Sequence, residues 1–247
     1  MRTAAIVLLS AGLFAQSSEQ RDRTFFLTHT DTPQQFMEVA TVIRTIADIQ
    51  QIAANNDQKS VTVHTTDPQI ALAEWLFNEL DNPARQPSVP HEYRVPGNPD
   101  DVVRIFYITS APTIQDFQEI ATLVRTITNI RRVFTYNAPK ALVIRGTVTQ
   151  IGLAEWLVKE LEPKATPASA EYQVVPGDQP HDENVVRVLY LTHTPSVQDF
   201  QKAAAQIRTV TNITRVFTYN TGRALAVRGT TDQVALADRL ATQLDKP

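Results

Sequence analysis

Short apolar runs of strand length alternate along the chain with longer stretches in which apolar residues return every three or four positions. One span shows the pattern most clearly. Val102 to Thr109 is rich in β-branched and aromatic residues at successive positions, which predicts a strand buried on both faces. Thr113 stands where a helix cap belongs and Asp116 follows in the first turn. Phe117, Ile120, Ala121, Val124 and Ile127 then predict a helix with one buried stripe, ended by Asn129. Arg132 to Tyr136 reads as a second strand, Asn137-Ala138-Pro139-Lys140 as a hairpin turn, and Ala141 to Arg145 as a third strand. After Gly146-Thr147, a last helix capped by Thr147 or Thr149 turns Ile151, Leu153, Ala154, Leu157, Val158 and Leu161 inward. The order is βαββα. It predicts an α/β fold, more narrowly an α+β two-layer sandwich, with two helices on one face of a small sheet.

The unit occurs three times. Arg104 to Lys164 aligns without gaps to Arg187 to Pro247 at a spacing of 83, with about half of the positions identical. Shared residues include Tyr107/Tyr190, Asp116/Asp199, Phe117/Phe200, Arg125/Arg208 and Asn129/Asn212. The turn of the last copy, Asn220-Thr221-Gly222-Arg223, carries glycine where a hairpin favours it. A more diverged copy, Arg23 to Pro83, lies 81 residues before the second; Phe36, Arg44, Gln69, Trp75 and Leu80 fall on Phe117, Arg125, Gln150, Trp156 and Leu161. The expected organisation is a signal peptide (1–15), module 1 (23–83), a linker (84–101), module 2 (102–164), a linker (165–184) and module 3 (185–247). Both linkers hold a Glu-Tyr-x-Val…Pro-Gly stretch, Glu92 to Gly97 and Glu171 to Gly177, which reads as a short extended segment docking on a module before a turn.

Composition narrows the classes. At 43% apolar the chain builds real cores, while a net charge of −3 and a pI near 6.0 give no field that draws nucleic acid or an anionic membrane. Arg2 followed by the uncharged run Ala4 to Phe14 has the form of an export signal, the alternative being a buried N-terminal helix. No second long apolar run follows, so the expectation is an exported chain, periplasmic or extracellular, without a transmembrane segment. With no cysteine there are no disulfides, thiolate catalysis or Cys-based metal sites.

The search for chemistry finds little. The five histidines (His29, His64, His91, His181, His193) lack the spacings zinc requires. Asp116 and Asp199 fit helix N-termini better than general acids, and Gln35 stands at that position in module 1. No catalytic or nucleotide-binding fingerprint occurs, so neither an enzyme nor a cofactor is expected. A candidate binding or assembly surface does recur: Arg132, Phe134, Tyr136 and Arg145 in module 2, and Arg215, Phe217, Tyr219 and Arg228 in module 3. If Val133 faces the module's own helices, this Arg-aromatic set lies on the opposite sheet face, where binding surfaces concentrate such residues. If instead Phe134 and Tyr136 face the helices, the set is core. Module 1 has Gln51, Ala53, Asn55 and His64 in these places.

Asn137, Ala141 to Thr147 and Leu153 to Leu161, with Asn220, Ala224 to Thr230 and Leu236 to Leu244, carry a family resemblance. The pattern resembles the short periplasmic repeat domain (NolW-like) of bacterial secretins, the outer-membrane channels of type II and III secretion and type IV pilus systems. Module 1, with Thr65-Thr66 in place of Gly-Thr, matches it least. The resemblance implies modules similar in outline to the KH fold, stacked into rings, with secretion or pilus components or the chain itself as partners. Secretins continue into a long β-rich channel domain, so this chain, whose third module reaches Pro247, is not expected to be the pore itself. The KH likeness also brings in RNA, but the Gly-x-x-Gly loop that clamps RNA is missing. The leading expectation is therefore a non-catalytic envelope protein for oligomerisation or protein assembly. Its alternative is a monomeric binding protein for peptide or glycan.

Overall fold

The computed structural model describes residues 19–83, 91–174 and 183–246. The expected signal peptide, His181 and the Pro176-Gly177 turn lie outside the described residues. Module 1 contains β1 (Gln20–Phe26), α1 (Pro33–Ile46), β2 (Gln51–Asn55), β3 (Ser60–Thr66) and α2 (Asp67–Leu80). A short strand, β4 (His91–Arg94), precedes module 2: β5 (Val102–Tyr107), α3 (Ile114–Thr128), β6 (Arg132–Tyr136), β7 (Ala141–Gly146) and α4 (Val148–Glu160). Another, β8 (Ala170–Gln173), precedes module 3: β9 (Val185–Tyr190), α5 (Val197–Thr211), β10 (Arg215–Tyr219), β11 (Ala224–Gly229) and α6 (Thr231–Leu244). The chain is mixed α/β, an α+β sandwich repeated as βαββα in all three modules.

Every sheet is antiparallel. Module 1 has the order β1-β3-β2; modules 2 and 3 add the connector strand outside the first strand, giving β4-β5-β7-β6 and β8-β9-β11-β10. The helix ends follow the local sequence. Thr113 and Asp116 form a reciprocal capping box on α3, and Asn129 closes it in the left-handed conformation (φ 59°). Thr147, not Thr149, caps α4, in a box with Gln150. Gln150 Nε2 also reaches the Thr128 and Asn129 carbonyls at the end of α3, and Gln69 and Gln233 do the same in modules 1 and 3. One side chain thereby ties the start of each second helix to the end of the first.

The cores show why the central strands are apolar on both faces. Val102, Val133, Leu142 and Ile144 pack with the helices of their own module, α3 and α4. Their neighbours Val103, Ile105, Ala141 and Val143 belong to the core of module 1, with Phe36, Val42 and Ile46 of α1. The next junction repeats this: Val186, Val188, Ala224 and Ala226 of module 3 join the core of α3. The period of two along each strand sends alternate residues to different modules. Each first helix α1 and α3 thus lies between its own sheet and that of the next module.

Candidate functional site

The Arg-aromatic set faces away from its own helices and lines the two junctions. Tyr136 (4% exposed) sits in the module 1 core and Phe134 packs against it, while Val133 points into module 2. Tyr219 (5% exposed) and Phe217 take the same places against α3. Burial, then the charges of Asp116 and Glu119 across the junction, raise the Tyr219 pKa.

The arginines act on helix ends. Arg145 forks onto the Asp101 carboxylate through Nε (2.8 Å) and Nη2 (2.6 Å), and its Nη1 donates to the Ile46 carbonyl at the end of α1 (2.8 Å). The Asp101 hydrogen bonds push its pKa up against the opposing effect of burial. Arg228, only 1% exposed, donates from Nη1 to the equivalent Ile127 carbonyl of α3 (3.0 Å) and from Nε to the Glu183 carbonyl (3.0 Å). A guanidinium in each junction therefore meets the negative end of a helix. Among the described residues, Arg132 and Arg215 reach no helix end in the same way and pair with Asp48 (2.6 Å) and Glu183 (3.2 Å). The Arg132 pair is largely solvated, and such pairs contribute little.

Two carboxylates complete the joints, and sequence reasoning did not single them out. Glu38 of α1 accepts from the Asn137 backbone N–H (2.9 Å) and Nδ2 (2.7 Å); Glu119 of α3 accepts the same pair from Asn220, both at 2.9 Å. Each closes the turn of the following module onto a helix. The available signal was that Glu38 and Glu119 align while the last copy has Lys202. Asp116 adds a further bond at the second junction, accepting from Thr221 Oγ1 (2.5 Å). Burial opposes its ionisation, but hydrogen bonds from Thr113 and Thr221 outweigh that and hold its pKa below the usual carboxylate value.

The connectors stitch the same joints from the side. Tyr93 of β4 lies against Trp75 of α2, and Tyr172 of β8 against Trp156 of α4, with ring centroids 5.5 and 5.4 Å apart. Tyr107 and Tyr190 donate back to the Glu79 and Glu160 carbonyls, at 3.3 and 2.5 Å. Burial, then the Glu160 charge, pushes the Tyr190 phenol up to about 12, so it stays protonated as a donor. Beside this joint a cavity of about 500 Å³ is lined by Leu161, Pro163, Tyr190, Tyr219 and Arg223 among others.

Among the described residues no three His, Cys, Asp or Glu converge as metal ligands. His29, His64, His91 and His193 each lie beside a carboxylate, of Asp81, Asp22, Glu79 and Asp245 respectively. No helix of the described residues is long and apolar enough to cross a membrane.

No family model and no curated protein matches the sequence. Solved structures do. The N-terminal domain of the secretin XcpQ from Pseudomonas aeruginosa matches with 14% identity and a TM-score of 0.31, over 86% of this chain and 76% of that one. ExeD of Aeromonas hydrophila matches with 13% identity and a TM-score of 0.22, over 92% of this chain and 41% of that one. A pilotin–secretin complex, AspS–GspD of ETEC, matches with 12% identity and a TM-score of 0.22, over 93% and 38%. The likeness is to secretin N-terminal domains. It is a likeness of fold. The chain also spans less than half of the ExeD and AspS–GspD chains it matches.

Proposed function

We propose that this chain is a non-catalytic scaffold of the cell envelope, a rigid stack of secretin N-domain-like modules that holds protein partners at fixed spacing in secretion or pilus assembly. The observation that carries the reading is the repeated junction. The same sheet face, the same helix end and the same carboxylate–asparagine joint recur from module 1 to 2 and from module 2 to 3. Continuous apolar cores through both joints favour a rod over beads on a string. Export to the periplasm, self-association and protein partners belong to the same proposal. Small-angle scattering of the whole chain should give a single rod-like particle, and cell fractionation should place it in the envelope. A profile of independently moving modules, or a cytoplasmic location, refutes the reading. The second reading, a binding protein for peptide or glycan, is favoured by the cavity at the junction of modules 2 and 3. Native mass spectrometry of the purified chain tests it: a co-purifying ligand supports it, and a bare chain counts against it.

A further inference from the structure

β1 differs from its counterparts in what lies beside it. β5 and β9 are inner strands because β4 and β8 pair with their outer edges; β1 is the outer strand of its sheet among the described residues. It is seven residues long and six of them are exposed, ending in Phe26 at 60% exposure. A long strand edge with unpaired backbone groups invites a further strand, and native folds usually blunt or cover such edges.

The chain itself records what such an edge accepts. In both filled cases the added strand runs antiparallel and sets a glutamate opposite an arginine, Glu92↔Arg104 and Glu171↔Arg187. Arg104 Nη2 lies 3.2 Å from Glu92 and 3.2 Å from Glu155 of α4. Arg187 lies 3.1 Å from Glu171 and 3.1 Å from Asp238 of α6. Arg23 is the counterpart of both. Its Nη2 meets Glu74 of α2 at 3.2 Å, and its guanidinium lies 5.9 Å from the Phe25 ring as that of Arg104 lies 5.8 Å from Phe106. The second carboxylate is the part missing among the described residues. Its side chain is accordingly 52% exposed, against 12% for Arg104 and 26% for Arg187. Phe26 likewise stands at the position of Tyr107, where the residue preceding Glu92, His91, packs edge-on at 5.2 Å.

We propose that the outer edge of β1 receives an extended segment of a partner protein as an antiparallel strand, with an acidic residue opposite Arg23 and a ring-bearing residue before it against Phe26. The inference deepens the scaffold reading and rests on it only in taking the partner to be a protein. A second copy is disfavoured. The Glu-Tyr segments of the chain are already paired in their own sheets, and β1 against β1 in the centred registers sets Arg21 or Arg23 opposite arginine, which is destabilising.

The test uses the full chain, ¹⁵N-labelled, and a capped synthetic peptide of residues 168–175 carrying Ala170→His, which sets a ring before Glu171. Lacking its covalent tether, so short a peptide should bind only at millimolar concentration. Saturable amide shifts should map onto residues 20–26. Arg23→Glu should weaken binding several-fold, and a peptide with lysine at the Glu171 position should regain it on that variant alone. Shifts confined to other surfaces, no binding, or equal binding by Arg23→Glu overturns the inference. So does a concentration-dependent dimer abolished by Arg23→Glu, because the occupant is then a second copy. A rod in scattering that fails to bind the peptide sinks this inference and leaves the scaffold reading standing.

Discussion

The outer sheet face of module 2 and that of module 1 are made from equivalent strands in the same register, yet they carry different residues. Where α1 covers the sheet of module 2 stand Phe134, Tyr136, Val143 and Arg145; in module 1, with no helix over that face among the described residues, stand Ala53, Asn55, Thr62 and His64. The first helices differ in the same way. Val42 and Leu123 are buried under the next sheet, whereas their counterpart Gln206 on α5 is exposed, and Lys202 replaces the jointing Glu38 and Glu119. Val210, exposed on α5 where Ile46 and Ile127 are buried, is the exception. The difference teaches that residue choice at these positions follows what covers them rather than the module's own fold. Inner faces are built as core and outer faces are built for water, the pattern of stacked repeats.

The most severe way to break this contrast is Phe134→Ser with Tyr136→Ser. Removing two rings from a junction should cost about 4 kcal/mol or more, and calorimetry should show module 1 melting separately from modules 2 and 3. Serines at Ala53 and Asn55 should change almost nothing, and a matching loss there would abolish the distinction between joint and end. Arg228→Ala comes next. It leaves the Ile127 and Glu183 carbonyls without their charged donor, for roughly 2–3 kcal/mol by urea unfolding. His64→Ala, its counterpart on the uncovered face, should stay within about 0.5 kcal/mol.

Glu119→Ala should cost about 1 kcal/mol through loss of both Asn220 bonds, while Lys202→Glu on α5 should leave unfolding unchanged. The smallest effect is acid sensitivity. Because the folded-state pKa of Asp116 is depressed, its contribution is complete above the ordinary carboxylate value of about 4 and is lost as pH falls through the lower folded value. Asp116→Asn should flatten that part of the stability profile. A profile unchanged by the substitution would show that the Thr113 and Thr221 bonds to ionised Asp116 do not stabilise the fold.

Much of each module is legible in the sequence alone. The helix stripe from Phe117 to Ile127, the Thr113 cap, the Asn129 stop and the two-faced strand at Val102 are local signals, because periodicity and capping involve residues a few positions apart. The β4 and β8 strands were harder. Strands of four residues, most of them polar, carry almost no periodic signal, and their order comes from the sheet edge beside them and from Trp75 and Trp156 behind them. The candidate surface was legible as a set of residues but not as a joint. Ile46, which receives Arg145, lies 99 residues away in the chain, as does Glu38 from Asn137, a joint residue outside that set.

Composition along the chain was therefore enough for the repeat, the βαββα order and the inward face of each helix, since all three follow from steric and hydrophobic rules acting within one module. It also marked module 1 as lacking the Arg-aromatic set without supplying the reason. Which module covers which sheet, and which carbonyl receives each guanidinium, was decided only by the folded chain. Burial and hydrogen bonding between modules depend on how rigid bodies meet, and no local pattern encodes that meeting.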